Sequence, residues 1–187
     1  SRIIEHRQPE DASRAIVRAR ISPVGEGMQV LVYTPDQPDL FARICGYFDQ
    51  AGFSILDAKI HTANNGYALD TFQVVTGMLP DHYQELMNMV ETGLTQTLEH
   101  PGALPQPSRG RVSRRVRSFP FSPRVDLQPD EKAQRWLLSI SASDHAGLLY
   151  CVARVLAKHH INLQLAKVTT LGERVEDTFL IDGPELQ

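Results

Sequence analysis

An α+β fold made of two similar units is the class this sequence predicts, on three observations. Asp36–Thr62 and Asp144–Thr170 follow one template, about 108 residues apart (144 − 36). Each copy runs from an acidic loop through a helical stretch into a matching triplet, Ala58-Lys59-Ile60 or Ala166-Lys167-Val168. Each then reaches Asp-Thr-Phe, at Asp70-Thr71-Phe72 and Asp177-Thr178-Phe179. There the offset is about 107 (177 − 70), so one turn residue differs between the copies. A fixed order of loop, helix, strand and strand, repeated at near-constant spacing, marks a duplicated unit.

The elements follow in order. Residues 1–27 are polar and Arg-rich, and are expected to be a connector from an upstream domain with a short helix at Glu10–Arg18. Met28–Tyr33 is a near-continuous apolar, β-branched run and predicts a buried strand. Thr34–Pro38 breaks it, and Pro38 suits the first turn of a helix. Leu40, Phe41, Ile44, Cys45, Phe48 and Ala51 recur at helical spacing, and Gly52 stops that helix. Phe53–Thr62 alternates as a long strand, Asn64-Asn65-Gly66 is a tight-turn signal, and Tyr67–Val75 returns. Asp81 opens a second helix with Tyr83, Leu86, Met87, Val90, Leu94 and Leu98 on one face. Residues 100–121 form an Arg/Pro-rich linker carrying Arg109, Arg111, Arg114, Arg115 and Arg117. A strand within 122–128 is expected to complete the first copy as βαββαβ. The second copy, 134–187, offers strand Gln134–Ser141, helix Gly147–His159 with Leu148, Leu149, Val152, Val155 and Leu156 inward, and hairpin strands Ile161–Thr170 and Val175–Ile181. It is expected to be truncated after its third strand, lacking a last helix and strand that another chain could supply.

Bulk properties exclude several classes. The net charge of −3 gives no general attraction to nucleic acid or anionic lipid. No apolar run approaches the roughly 20 residues of a membrane span, and the polar start has no signal-peptide core. A cytoplasmic protein with two free thiols is expected, because Cys45 and Cys151 occupy different positions of the repeat. The seven histidines form no H-E-x-x-H and no His-Asp pair. His159 and His160 close a helix and read as structural, and no metal site is expected. The two Asp-Thr-Phe triplets read as half-exposed strands with Phe72 and Phe179 filling the core.

The order βαββαβ, with a short acidic loop after the first strand, resembles the ACT domain, a ferredoxin-like regulatory fold. Asp144-His145-Ala146-Gly147-Leu148-Leu149 matches that family's D-x-x-G-L-L pattern. The run Gly172-Glu173-Arg174-Val175-Glu176-Asp177-Thr178-Phe179 resembles the last ACT domain of the bifunctional enzymes that uridylylate and deuridylylate nitrogen-regulatory PII proteins. Pro35-Asp36-Gln37-Pro38-Asp39-Leu40-Phe41 departs from the generic pattern as the penultimate ACT domain of those enzymes does. The resemblance spans residues 28–182. It implies a parent enzyme with a nucleotidyltransferase domain, where Mg2+ and UTP belong, and an HD-type phosphodiesterase domain. Neither catalytic signature occurs here, so the resemblance implies a regulatory region with no catalytic residue and no cofactor of its own. It implies glutamine as effector, PII protein as the parent's substrate, and ACT–ACT pairing within or between chains.

The chemistry of the loops supports an effector site. A helix N-terminus presents unpaired N–H groups and a favourable dipole to an α-carboxylate. Gly147 permits close backbone approach, and Leu148 and His145 flank it in the loop. Asn162 offers donor and acceptor together. Asp144 either takes an α-ammonium or caps its own helix. The first copy differs: Asp39 stands where Gly147 stands and Ser54 where Asn162 stands, so Asp36, Gln37, Asp39 and Ser54 make a weaker site. The second copy is therefore the expected effector site. The Arg cluster either grips a phosphate or acidic face or is a solvated linker. A stand-alone ACT-repeat regulator remains the nearest alternative. An RNA-binding module of the same topology would need basic and aromatic strands, where this chain has Asp70, Glu176 and Asp177.

Overall fold

The computed structural model describes residues 14–77, 80–108, 123–130, 135–143 and 147–183. The Arg cluster at 109–117 lies outside them. Among the described residues the chain forms eight strands. They are β1 (Ile16–Ile21), β2 (Met28–Pro35), β3 (Ser54–Thr62), β4 (Tyr67–Val75), β5 (Arg124–Asp130), β6 (Arg135–Ser143), β7 (Asn162–Leu171) and β8 (Arg174–Asp182). Three described helices join them: α1 (Leu40–Gln50), α2 (Tyr83–Glu99) and α3 (Leu148–Lys158), with a 3-10 turn at Pro80–His82 before α2. All eight strands form one sheet in the order β1-β2-β4-β3-β7-β8-β6-β5, antiparallel throughout. This is a mixed α/β fold.

The sheet consists of two halves with the same internal order, β1-β2-β4-β3 and β5-β6-β8-β7, meeting at β3 and β7. Lys59 lies directly opposite Lys167, flanked by Asp57 opposite Thr169 and His61 opposite Leu165. Lys59 and Lys167 are repeat equivalents, so a local two-fold axis passes between them. Even the irregularities repeat. The register shifts between Ile55 and Asp57 in β3, and between Leu163 and Leu165 in β7.

Two expectations need correction. Ile16–Ile21 is neither connector nor helix: it is an edge strand paired along its length with β2. Its alternation turns Val17 into the core and Arg18 and Arg20 outward, which a helix could not do. Glu91 of α2 accepts a 2.8 Å hydrogen bond from the Ala19 N–H, closing part of that edge. The strand at Arg124–Asp130 does not complete the first copy, because it pairs with β6 from Arg124–Ser141 to Asp130–Arg135. The second half thus begins near Arg124, ten residues or so before the expected 134, and has its fourth strand. The repeat starts one strand earlier than its most legible motifs, as strand–strand–helix–strand–strand.

All three helices lie on one face of the sheet. α1 buries Leu40, Phe41, Ile44, Cys45 and Phe48, α2 buries Leu86, Val90, Leu94 and Leu98, and α3 buries Tyr150, Ala153 and Leu156. Val155, expected inward, is exposed. The opposite sheet face is open, which leaves Leu31, within the run expected to be buried, exposed. Phe72 and Phe179 of the repeated triplets both meet the Phe41 ring, at 6.5 and 6.3 Å between centroids, so one core spans the junction. Val17 of β1 is 1% exposed under α2, whereas its repeat equivalent Val125 of β5 is 66% exposed, with no described helix above it.

α1 and α3 touch where Gly46 meets Tyr150. A Cβ at Gly46 would come within 2.9 Å of the Tyr150 ring. That ring is held in place, since its hydroxyl donates to the Pro105 carbonyl at 2.5 Å. The segment bearing Pro105 is itself fastened along α1. Arg43 and Gln50 donate to the carbonyls of Gly102 and Gln106, and Asp49 accepts from the Ser108 N–H at 2.7 Å. The start of the expected linker is therefore a strap over the helix pair. Replacing Gly46 by Leu should destabilise the protein by about 1–3 kcal/mol, because overpacking has nowhere to relax. Urea unfolding tests this, with Gly102→Ala, where a Cβ meets open space, as the near-neutral control.

Candidate functional site

The β2–α1 loop is pinned at several points. The Asp36 N–H donates to the Gly66 carbonyl at 2.8 Å, tying the loop to the β3–β4 turn. The Gln37 side chain donates to the Leu98 carbonyl at 3.3 Å, in the last turn of α2. Asp39 precedes the helix with φ 61°, and Gly147 precedes α3 with φ 83°. The two loops therefore share a left-handed residue. Gly147 adopts it without strain, and Asp is among the few other residues that tolerate it. The Asp39 and Gly147 carbonyls then accept the first helical bonds, from Arg43 at 2.9 Å and Cys151 at 3.0 Å.

Pairing β3 with β7 directs each loop at the other half. A cavity of about 540 Å³ is lined by Asp36, Gln37, Pro38, Asp39, Ile60, Thr62 and Asp70 of the first half, and by Ala153, Leu156, His160, Ile161, Asn162 and Gln164 of the second. Its two-fold counterpart encloses only about 40 Å³ among the described residues, with Gly147, Leu148, Tyr150 and Asp177 facing Cys45, Asp49 and Ser54. Asp36, Gln37 and Asp39 thus meet Asn162, and Gly147 and Leu148 meet Ser54. The expected grouping of Gly147 with Asn162, and of Asp39 with Ser54, is not what the chain forms: each cavity draws its loop from one half and its strand entry from the other. Asp144 and His145 lie outside the described residues. The roomier cavity is the one at the first loop, with a volume suited to a small metabolite. The other has room for little more than a water molecule.

Asp70 belongs to the cavity although its sequence context suggested a half-exposed position. It is 3% exposed, and Asp177 is 2% exposed. Residues two apart on a strand share a face, so Asp70 lies on the side of Phe72 and Val74, and that parity was the available signal. Burial pushes the Asp70 carboxyl up to about 7; the His61 N–H, 3.3 Å from Oδ1, acts in the opposite sense, and the charge of Asp36 adds to the rise. Cys45 lies nearby in α1. Its thiol is raised well above the usual range by burial, then by the charges of Asp70, Asp177 and Asp49, so it is no nucleophile. Both cysteines are free thiols. His160 ends α3 with φ 52° and occupies the helix-stopping position that Gly52 holds in the first half. It also lines the cavity.

Among the described residues, the charged groups lining the cavity are Asp36, Asp39, Asp70 and, when protonated, His160, with no Lys or Arg. An α-carboxylate would therefore rely on backbone N–H groups at the start of α1, and a cationic group would find carboxylates. Among the described residues, no three His, Cys, Asp or Glu side chains converge as metal ligands.

The raised Asp70 pKa makes stability depend on pH in a definite sense. Between the unfolded value of 3.8 and about 7, the folded chain keeps a proton that the unfolded chain has released. Stability contributed by the neutral form is present in full below about pH 4 and is lost as pH rises toward 7, at up to about 1.4 kcal/mol per pH unit. Asp70→Asn should remove that slope and be the more stable form at pH 8. Urea unfolding free energies at pH 4.5, 6 and 8 test this, and equal slopes for the two proteins would contradict it.

No family model matches the chain, and no solved structure matches it. Curated proteins do. The bifunctional uridylyltransferase/uridylyl-removing enzyme of Ralstonia nicotianae is 58% identical over 180 residues, which is 94% of this chain and 21% of that enzyme. The enzyme of the same name from Cupriavidus pinatubonensis is 58% identical over 179 residues, again 94% and 21%. That of Burkholderia vietnamiensis is 53% identical over 176 residues, 94% of this chain and 20% of the enzyme. Over nearly its whole length, the chain is therefore similar to one part of the bifunctional uridylyltransferase/uridylyl-removing enzymes, about a fifth of their length.

Proposed function

We propose that this chain is a C-terminal, amino-acid-sensing tandem ACT region of an enzyme that uridylylates and deuridylylates PII signal protein, and that glutamine is its effector. The observation that carries the reading is the cavity of about 540 Å³ between the halves, where loop Asp36–Asp39 and Asn162 face each other. The strand order of each half supports it, being that of a ferredoxin-like unit whose closing edge strand comes first in the chain instead of last. The similarity to bifunctional uridylyltransferase/uridylyl-removing enzymes supports the parent activity. Nucleotide, Mg2+ and PII would be handled by other domains of that parent. This region would shift the balance of its two activities, for which a coupling of about 1–3 kcal/mol is enough.

Asn162 enters β7 at the cavity's rim, exposed, with amide donor and acceptor both suited to an amino acid. A site read across a junction also explains sensing, since a ligand bridging both halves changes how firmly they hold together. Titration calorimetry of this chain with glutamine should give a dissociation constant near millimolar, about −4 kcal/mol. Asn162→Ala should weaken it roughly tenfold, about 1.4 kcal/mol, while Gly147→Ala, at the small cavity, should leave it within about twofold. Equal heats from glutamine, glutamate and alanine, or no heat at all, would defeat the glutamine reading.

A further inference from the structure

We propose that Asp70 is the counter-charge of the cavity between the halves, so that the site selects ligands carrying a primary ammonium group and takes up each one with loss of the Asp70 proton. The inference deepens the effector reading above and rests on the same cavity.

Three observations lead to it. Asp70 projects from the core face of β4 into a cavity of about 540 Å³, at a position flanked along the strand by Ala68 and Phe72. A carboxyl on a core face is unfavourable unless something compensates it. The one hydrogen bond described for its carboxyl is the His61 N–H to Oδ1. Among the described residues no Lys or Arg lines the cavity, so its described wall supplies no fixed cation. The repeat provides the internal contrast. Asp177 holds the equivalent position in the second half, where the cavity among the described residues is about 40 Å³. The same buried acid is thus retained twice, 3% exposed beside the larger cavity and 2% exposed beside the smaller one.

The groups facing Asp70 set how the site titrates. The loop after β2 contributes Asp36 and Asp39, α1 contributes the neutral Cys45 thiol, and β3 contributes the His61 N–H. The end of α3 contributes His160, and β7 contributes uncharged Gln164, whose amide is engaged by Asp182 at 3.0 Å. Asp36 and Asp39 strengthen the pull on an ammonium. A protonated His160 would oppose it, so His160→Gln separates its contribution from that of Asp70. In the bound state the ammonium keeps its proton and donates to the Asp70 carboxylate, and the proton displaced from Asp70 goes to buffer.

The test is calorimetric titration of the full chain with glutamine at pH 6, 7 and 8, in buffers of differing ionisation enthalpy. Near pH 7, where Asp70 is about half protonated, about half a proton should be released per glutamine, falling toward none well above that pH. Affinity should fall by up to about tenfold per pH unit below 7. 4-Carbamoylbutanoate, which lacks the amine, should not bind, and 4-aminobutanamide, which lacks the α-carboxylate, should bind with the same proton release. Asp70→Asn should abolish the release, and His160→Gln should keep it. Glutamine binding with no proton release and no pH dependence would overturn the proposal, as would tight binding of 4-carbamoylbutanoate. If glutamine is silent but 4-aminobutanamide binds with proton release, the glutamine reading fails and the Asp70 assignment stands. If no amine binds, both fail.

Discussion

The antiparallel pairing of β3 with β7 decides where the other parts of this molecule fall. It turns two four-stranded units into one eight-stranded sheet and places the two-fold axis between Lys59 and Lys167. Two like charges opposite each other on a ladder are unfavourable, and they are tolerated here on the open, solvated face. On the covered face the same pairing sets α1 beside α3, seats Tyr150 over Gly46, and brings Phe72 and Phe179 against one Phe41 ring. The junction is therefore core rather than an interface between finished domains. It also points each helix-opening loop at the other half's strand entry, and the cavity exists because of that crossing.

Near-symmetry makes the differences informative. Both loops hold a left-handed residue before the helix, Asp39 in one and Gly147 in the other. Both strands bury an acid, Asp70 and Asp177. Yet among the described residues one cavity is about 540 Å³ and the other about 40 Å³. The duplicated unit keeps its framework while its two equivalent cavities differ in size. Cys45, Gly147 and Tyr150 all line the smaller one.

Much of this architecture was legible in the chain. α1, α2, the β3–β4 hairpin and β7–β8 follow from hydrophobic period and turn chemistry, because each has one strongly apolar face and a clear stop such as Gly52 or Asn65-Gly66. β1 was missed for a physical reason. Of Ile16–Ile21 only Val17 is deeply buried, and alternating arginines disguise a six-residue edge strand as a polar connector. β5 was seen as a strand but given to the wrong half. Its neighbour in space is set by non-local pairing, and both edges looked equally open to it. The site was legible in its parts and not in its grouping. Repeat arithmetic matches Gly147 with Asn162 inside one copy, and only the strand order reveals that the halves exchange partners. Asp70 is readable from its parity with Phe72, but a carboxylate on a core face runs against the usual partition of charge.

The central claim is that one site is assembled from the first half's loop and the second half's strand entry. A crystal structure of this chain grown with glutamine tests it most directly. The account predicts one glutamine between Asp36–Asp39 and Asn162, with its ammonium toward Asp70 and the Gly147–Ser54 side empty. Glutamine seated instead beside Gly147, or halves joined through strands other than β3 and β7, would contradict it.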